Sequence, residues 1–256
     1  MANQVNLSQG AVRVLDDSVL EGYNESIKQY NSERARSSLG KFNRNYGELT
    51  GSSPLMIIQL VNSGSLSEGT KIATRQDLEN AISKDNSFFK GRYTDFALAL
   101  RTAGDSYNPN DLLAKRLAKQ LEQRDIALGE GKLIPLDVLS LIEDENSAYG
   151  LVIDLKENAK SSIRDLNDFK WDCERNEGLA CAGLNGDGYW YSDGEHLADS
   201  DALGRVVIVS GEAASQNFSK ENLMQKIQTA LNDKKAFEYQ GTLYVPVSDK
   251  SVKTSE

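Results

Sequence analysis

The side chains best suited to chemistry are crowded into one stretch, Trp171 to Asp201, reading WDCERNEGLACAGLNGDGYWYSDGEHLADSD. Both tryptophans (Trp171, Trp190), both cysteines (Cys173, Cys181) and the single histidine (His196) of the 256-residue chain lie inside it. Carboxylates accompany them throughout, separated by glycines. Such a mixture offers four kinds of site: a divalent cation, a thiol nucleophile, a carboxylate pair or an aromatic recognition surface.

The cation reading rests on GLNGDGYWYSDGE. Hard cations need oxygen ligands on a sharply turned backbone. Set on the spacing of a calcium loop, Asn185 and Asp187 fall on ligand positions and Gly188 on the turn. The ends do not match: Gly183 replaces the first carboxylate, and Glu195 comes one residue late. Asn185, Asp187, Asp193 and Glu195 are therefore the candidate metal ligands of half a motif, with a divalent cation as the one cofactor considered. Turn chemistry explains the same residues, because Asn-Gly and Asp-Gly pairs accept positive φ and form hairpin turns.

Thiol catalysis would pair Cys181 with His196 as base. A reactive thiolate needs a nearby cation or a helix N-terminus, whereas Cys181 sits in LACAG among small apolar residues and near carboxylates that oppose ionisation. Cys173, Cys181 and His196 supply three zinc ligands at spacings that fit no common finger. The aromatic reading uses Trp171, Tyr189, Trp190, Tyr191 and His196 as ligand-binding residues, since flat faces beside polar acceptors suit sugars and protein partners. Strand alternation would put Tyr189 and Tyr191 on one face and Trp190 on the other.

Charge narrows the partners. A net charge of −9 disfavours non-specific attachment to nucleic acid or anionic lipid, both of which reward a positive field. Two basic stretches run against that average: Arg34, Arg36, Lys41 and Arg44, then Lys115, Arg116, Lys119 and Arg124. Solvated faces account for both. The apolar runs are far shorter than the ~20 residues of a bilayer span, and the opening MANQVNLSQG lacks the pattern of a secretory leader. Two cysteines are too few for a disulfide scaffold, and a cytoplasmic location is expected. No GxGxxG, GxxxxGK[ST] or GxSxG pattern identifies a reaction.

The elements that must hold these residues follow from periodicity. Val12, Leu15, Val19, Tyr23, Ile27 and Tyr30 form a stripe that predicts a helix over 11–37. Residues 37–53 read as a loop, and the β-branched run after Pro54 as a buried strand near 55–61. Lys71–Ala73 reads as a short strand and Thr74 as the cap of the helix RQDLENAIS. A helix over 94–103 is expected next, capped by Thr94 and stopped at Gly104. The helix over Asp111–Arg124, capped by Asn110, has the clearest apolar stripe of the chain. LIPLDVLSLIE reads as a strand or helix, AYGLVIDLKE and GRVVIVSG as strands, and Ser219 as a helix cap. AFEYQGTLYVPV reads as a hairpin turning at Gln240–Gly241.

The expected class is α+β, with a helix-rich N-terminal half over 1–146 and an α+β C-terminal half over 147–247. That second half would carry a mostly antiparallel sheet, followed by a disordered tail at 248–256; one continuous domain is compatible with the same pattern. The expected function is that of a soluble, non-catalytic binding or scaffold protein. Its partner would be a protein or a small polar ligand, recognised through an acidic and aromatic hairpin-like segment at 171–199. The alternatives are a carboxylate-based, cation-dependent hydrolase in the same segment, and a nucleic-acid binder using the basic face of helix 111–124.

Overall fold

Helices and strands alternate from the beginning of the chain, contrary to the expected helix-rich first half. A computed structural model describes residues 3–7, 10–32, 39–104, 107–173, 177–210, 237–239 and 242–244. In order these form β1 (Gln4–Leu7), β2 (Gly10–Val14), α1 (Leu20–Ser32), β3 (Asn43–Asn45) and β4 (Glu48–Thr50). Then come α2 (Pro54–Asn62), β5 (Thr70–Ile72), α3 (Arg75–Lys84), β6 (Thr94–Leu100) and α4 (Asp111–Glu122). The strands β7 (Lys132–Pro135), β8 (Leu139–Glu143), β9 (Leu151–Leu155), β10 (Arg164–Asp165), β11 (Leu179–Leu184), β12 (Trp190–Gly194) and β13 (Val207–Ser210) follow. The last described strands are β14 (Phe237–Tyr239) and β15 (Thr242–Tyr244).

Residues 1–215 make one compact unit and 216–256 a second. In the first, β10-β7-β6-β11-β12 form one sheet and β1-β2-β13-β5 another. The hairpins β3–β4 and β8–β9 are separate two-stranded pairs. All these strand pairs are antiparallel. Both larger sheets join residues from either side of residue 147, since β6 pairs with β11 and β2 with β13. In the second unit β14 and β15 pair antiparallel with Tyr239 opposite Thr242, and the expected turn at Gln240–Gly241 lies outside the described residues. The expected helix after Ser219 and the tail at 248–256 lie outside the described residues.

Three expectations are overturned, two because burial on every side erases periodicity and the third because strand alternation and a helical stripe run together along the chain. The run after Pro54 is helix α2, with its first five residues and Leu60 buried. Its N-terminal signal was present in the sequence: Ser53 Oγ accepts the Met56 amide (3.4 Å) and Pro54 occupies the first turn, the arrangement that favours a helix start. The expected helix at 94–103 is β6, buried at all seven positions between β7 and β11. The expected helix at 11–37 begins only at Leu20, because Val12 and Val14 alternate inward as the central strand β2. For two helices with one face in water, the readings match the fold. Thr74 closes a capping box with Asp77 at the start of α3, and α4 buries Leu113, Leu117 and Leu121.

Candidate functional site

The hairpin β11–β12 organises the chemically rich segment. Its turn is self-contained: the Asn185 amide donates to the Tyr189 carbonyl (2.8 Å), and the Gly188 amide to the Asn185 carbonyl (2.9 Å). Asn185 Oδ1 accepts the Asp187 amide (2.9 Å), so the expected cation ligand serves its own turn. Asp187 is exposed at the tip, whereas Asp193 is half-buried on β12 and Glu195 lies in the following loop. Among the described residues no three His, Cys, Asp or Glu side chains gather as a metal site would require.

The aromatic residues divide by face, as alternation along a strand demands. Trp190 meets the Phe96 ring edge-on at 5.9 Å, and Trp171 stacks on Phe96 at 6.4 Å. Trp171 is anchored by its Nε1, which donates to the Leu166 carbonyl (2.9 Å). Between these rings lies the Arg75 guanidinium, 4.6 Å from the Trp190 centroid, 4.7 Å from Trp171 and 4.9 Å from Phe169. Arg75 also donates to Glu79 (2.7 Å) and to the Lys170 carbonyl (2.8 Å), and is only 7% exposed. Both tryptophans expected to hold a ligand thus enclose a cation of the protein itself. Partial desolvation makes that attraction stronger than at an open surface.

Tyr191 points the other way. Its hydroxyl donates to Asp95 Oδ1 (2.7 Å), and Ser52 Oγ donates to Asp95 Oδ2 (2.9 Å). Asp95 is 4% exposed. Burial lifts its carboxyl to about 6, against the opposing hydrogen bonds from Tyr191 and Ser52. The approach of Tyr191 needs Gly183 beneath it: a Cβ there would lie 2.3 Å from the Tyr191 hydroxyl and 2.5 Å from the Thr94 carbonyl. Burial, reinforced by the Asp95 charge, also raises the Tyr191 hydroxyl well above its ordinary range.

The thiol–imidazole pair does not form. The Cys181 thiol faces the His196 carbonyl at 3.7 Å, and burial, with the Asp95 charge, pushes it well up. The His196 side chain is 57% exposed, edge-on to Tyr107 at 4.9 Å and 3.8 Å from the Asp199 carboxylate. Cys173 instead lies 3.2 Å from Arg101 Nη2. Arg101 is itself held by the Ser192 carbonyl (2.7 Å) and hydroxyl (2.5 Å).

The basic helix face is partly consumed inside the fold. Arg116 pairs with Asp154, and Arg124 donates to the Gln120 and Leu155 carbonyls. Lys115 and Lys119 stay exposed. In the other stretch Arg44 pairs with Asp17, Lys41 is exposed, and Arg34 and Arg36 lie outside the described residues. No described helix is long and apolar enough to cross a membrane.

Among the described residues, several surface segments are tied to residues 91–93. The Gly91 amide donates to the Gly186 carbonyl (3.2 Å), and the Tyr93 amide to the Leu203 carbonyl (3.4 Å). Arg92 donates to Glu48 Oε1 (3.0 Å) at the base of the β3–β4 turn. These loops carry three large apolar side chains in the open: Tyr46 (100% exposed), Tyr189 (58%) and Leu203 (59%). Tyr46 has φ 51° and Gly47 φ 80°, both in the left-handed region that a two-residue hairpin turn demands.

No family model, curated protein or solved structure matches this chain. Sequence reasoning passed over Arg75, Asp95, Ser52 and Tyr46. A lone aspartate within the apolar run TDFALAL was the one available signal for Asp95, and NYGE the signal for the turn at Tyr46.

Proposed function

We propose that this chain is a non-catalytic binding protein that recognises a polypeptide partner through the loop tips bearing Tyr46, Tyr189 and Leu203. The observation that carries the reading is Tyr46, a fully exposed tyrosine held at positive φ. Asn or Gly fits that position without strain, whereas another L-residue there costs about 1–2 kcal/mol. A large aromatic ring kept under strain in solvent suits a contact made with something else. Tyrosine is well adapted to that task because it offers a rigid apolar area at low entropic cost.

The partner should carry positive charge. Asp187, Asp199 and Asp201 are exposed on the two loops from the C-terminal side of the sheet, while Arg92 is engaged with Glu48. A cytoplasmic setting belongs to the same proposal, in keeping with the buried thiol of Cys181.

Affinity capture with the intact chain, followed by binding measurements on the partner identified, tests this reading. Tyr46→Ala and Tyr189→Ala should each weaken binding by roughly 30-fold or more, the effect of losing an interface anchor of about 2 kcal/mol. Asp187→Asn should change it only a few-fold, as expected of a charge at the rim. The reverse ranking, with the tyrosines dispensable and Asp187 essential, would favour carboxylate chemistry and overturn the proposal.

A further inference from the structure

Ser52 ties a buried carboxyl to a surface loop. Its Oγ donates to Asp95 Oδ2 and accepts the Asp95 amide (2.8 Å). Its amide donates to Ser200 Oγ (2.7 Å), and its carbonyl accepts from the Tyr93 hydroxyl (3.3 Å). The same Tyr93 hydroxyl accepts the Asp201 amide (3.0 Å). On either side of these bonds, the Leu55 amide holds the Leu197 carbonyl (3.1 Å) and the Gly51 amide the Gly204 carbonyl (2.8 Å). The seating of residues 197–205 and the state of Asp95 therefore meet at one residue.

Among the described residues, the groups facing Asp95 include no cation to offset its charge. Tyr191 approaches from β12, Cys181 from β11 and Tyr93 from the segment before β6. The residue before the α2 cap contributes the hydroxyl of Ser52. Asp193, Asp199 and Asp201 lie farther out, acting on Cys181 or Tyr93. Burial keeps Tyr93, Tyr191 and Cys181 above their ordinary values, so all three stay neutral while Asp95 changes charge.

We propose that residues 197–205 form an acid-closed latch, seated while Asp95 holds a proton and loosened once Asp95 ionises and draws water past Ser52. A buried charge without a counter-ion is costly, and opening the cover that joins it to the surface hydrates it. The closed state holds the proton more tightly than a hydrated carboxyl does. Its advantage is thus complete below the ordinary value of 3.8, falls as pH rises to about 6, and is constant beyond. Leu203 rides on this loop, so the proposed recognition surface is better ordered in mild acid; that consequence rests on the proposed function, and the latch does not.

Amide hydrogen exchange of the free chain between pH 4 and 7, corrected for intrinsic rates, tests the latch. Protection at Gly51, Ser52 and Asp201 should fall by roughly tenfold per pH unit up to about pH 6 and then level off. Asp95→Asn should flatten the profile. Tyr191→Phe removes a donor that favours the ionised form, so levelling should move to higher pH. Parallel profiles in the native chain and Asp95→Asn overturn the proposal. Should Asp95→Asn not fold, an unmoved levelling point in Tyr191→Phe overturns it. Because no partner is used, failure of the tyrosine surface and failure of the latch are read separately.

Discussion

Arg75 shows how one side chain can answer for the aromatic richness of the whole segment. Tryptophans beside carboxylates could serve a foreign ligand, but here three rings close on a guanidinium from the first turn of α3. Arginine suits this position because its flat cation stacks on rings while its edge still donates hydrogen bonds. Arg75→Ala should cost about 3 kcal/mol, combining a desolvated cation–π contact with a lost bond to the Lys170 carbonyl. Arg75→Lys should recover only part of that, since an ammonium cannot stack and fork together. Urea denaturation followed by tryptophan fluorescence reads both, and an Arg75→Ala chain as stable as the native one would remove the cage from the account.

Buried amides and arginines add polar joins between elements to the apolar core. Asn110, expected only as the cap of α4, makes no capping bond with its side chain. Its Nδ2 donates to the Leu179 carbonyl (2.9 Å) and the Glu195 carbonyl (2.8 Å), and its Oδ1 accepts the Tyr149 hydroxyl (2.8 Å). One fully satisfied amide thus links the start of α4 to β11, to the loop after β12 and to the turn before β9. Asn110→Ala should destabilise by about 3 kcal/mol, because it strands two carbonyls and a hydroxyl in the interior. Ser53→Ala, at the cap of α2, should cost only about 1 kcal/mol. Thermal unfolding of the two variants side by side checks the ranking, which would be reversed if capping dominated. Glu48 plays a comparable joining part, holding Arg92 (3.0 Å) and Arg205 (2.9 Å) to the start of β4.

For the molecule as a whole, acid acts in two directions. Asp16, Asp154 and Glu48 have depressed carboxyls. Hydrogen bonds from Ser18 lead for Asp16, bringing it to about 2, and Arg116 leads for Asp154. For Glu48, Arg205 and Arg92 outweigh its burial. The stability they contribute is present above their ordinary values and lost as pH falls through the depressed ones. Asp95 runs the opposite way: its contribution is complete below 3.8 and lost as pH rises to about 6, a change of about 3 kcal/mol by linkage. Subtracting the unfolding free energy of Asp95→Asn from that of the native chain, at each pH from 4 to 7, isolates this term. The difference should decline up to about pH 6 and then hold; a difference independent of pH would mean that Asp95 is ionised in the fold like an ordinary carboxylate.

The amino-acid sequence by itself determined two helices that keep one face in water. The stripe of α4 and the Thr74–Asp77 box of α3 were legible because solvent on one side of a helix imposes a period. It also located the stretch where scarce side chains gather and explained the glycines of its turn. Tertiary structure alone decided the rest. Pro54–Asn62 became a helix and Thr94–Leu100 a central strand because both are buried all round, which leaves no period to read. The same holds for the site. Arg75 comes to Trp171 and Trp190, and Ser52 to Asp95 and Tyr191, from far along the chain. Spacing in sequence carries no record of partners that only packing brings together.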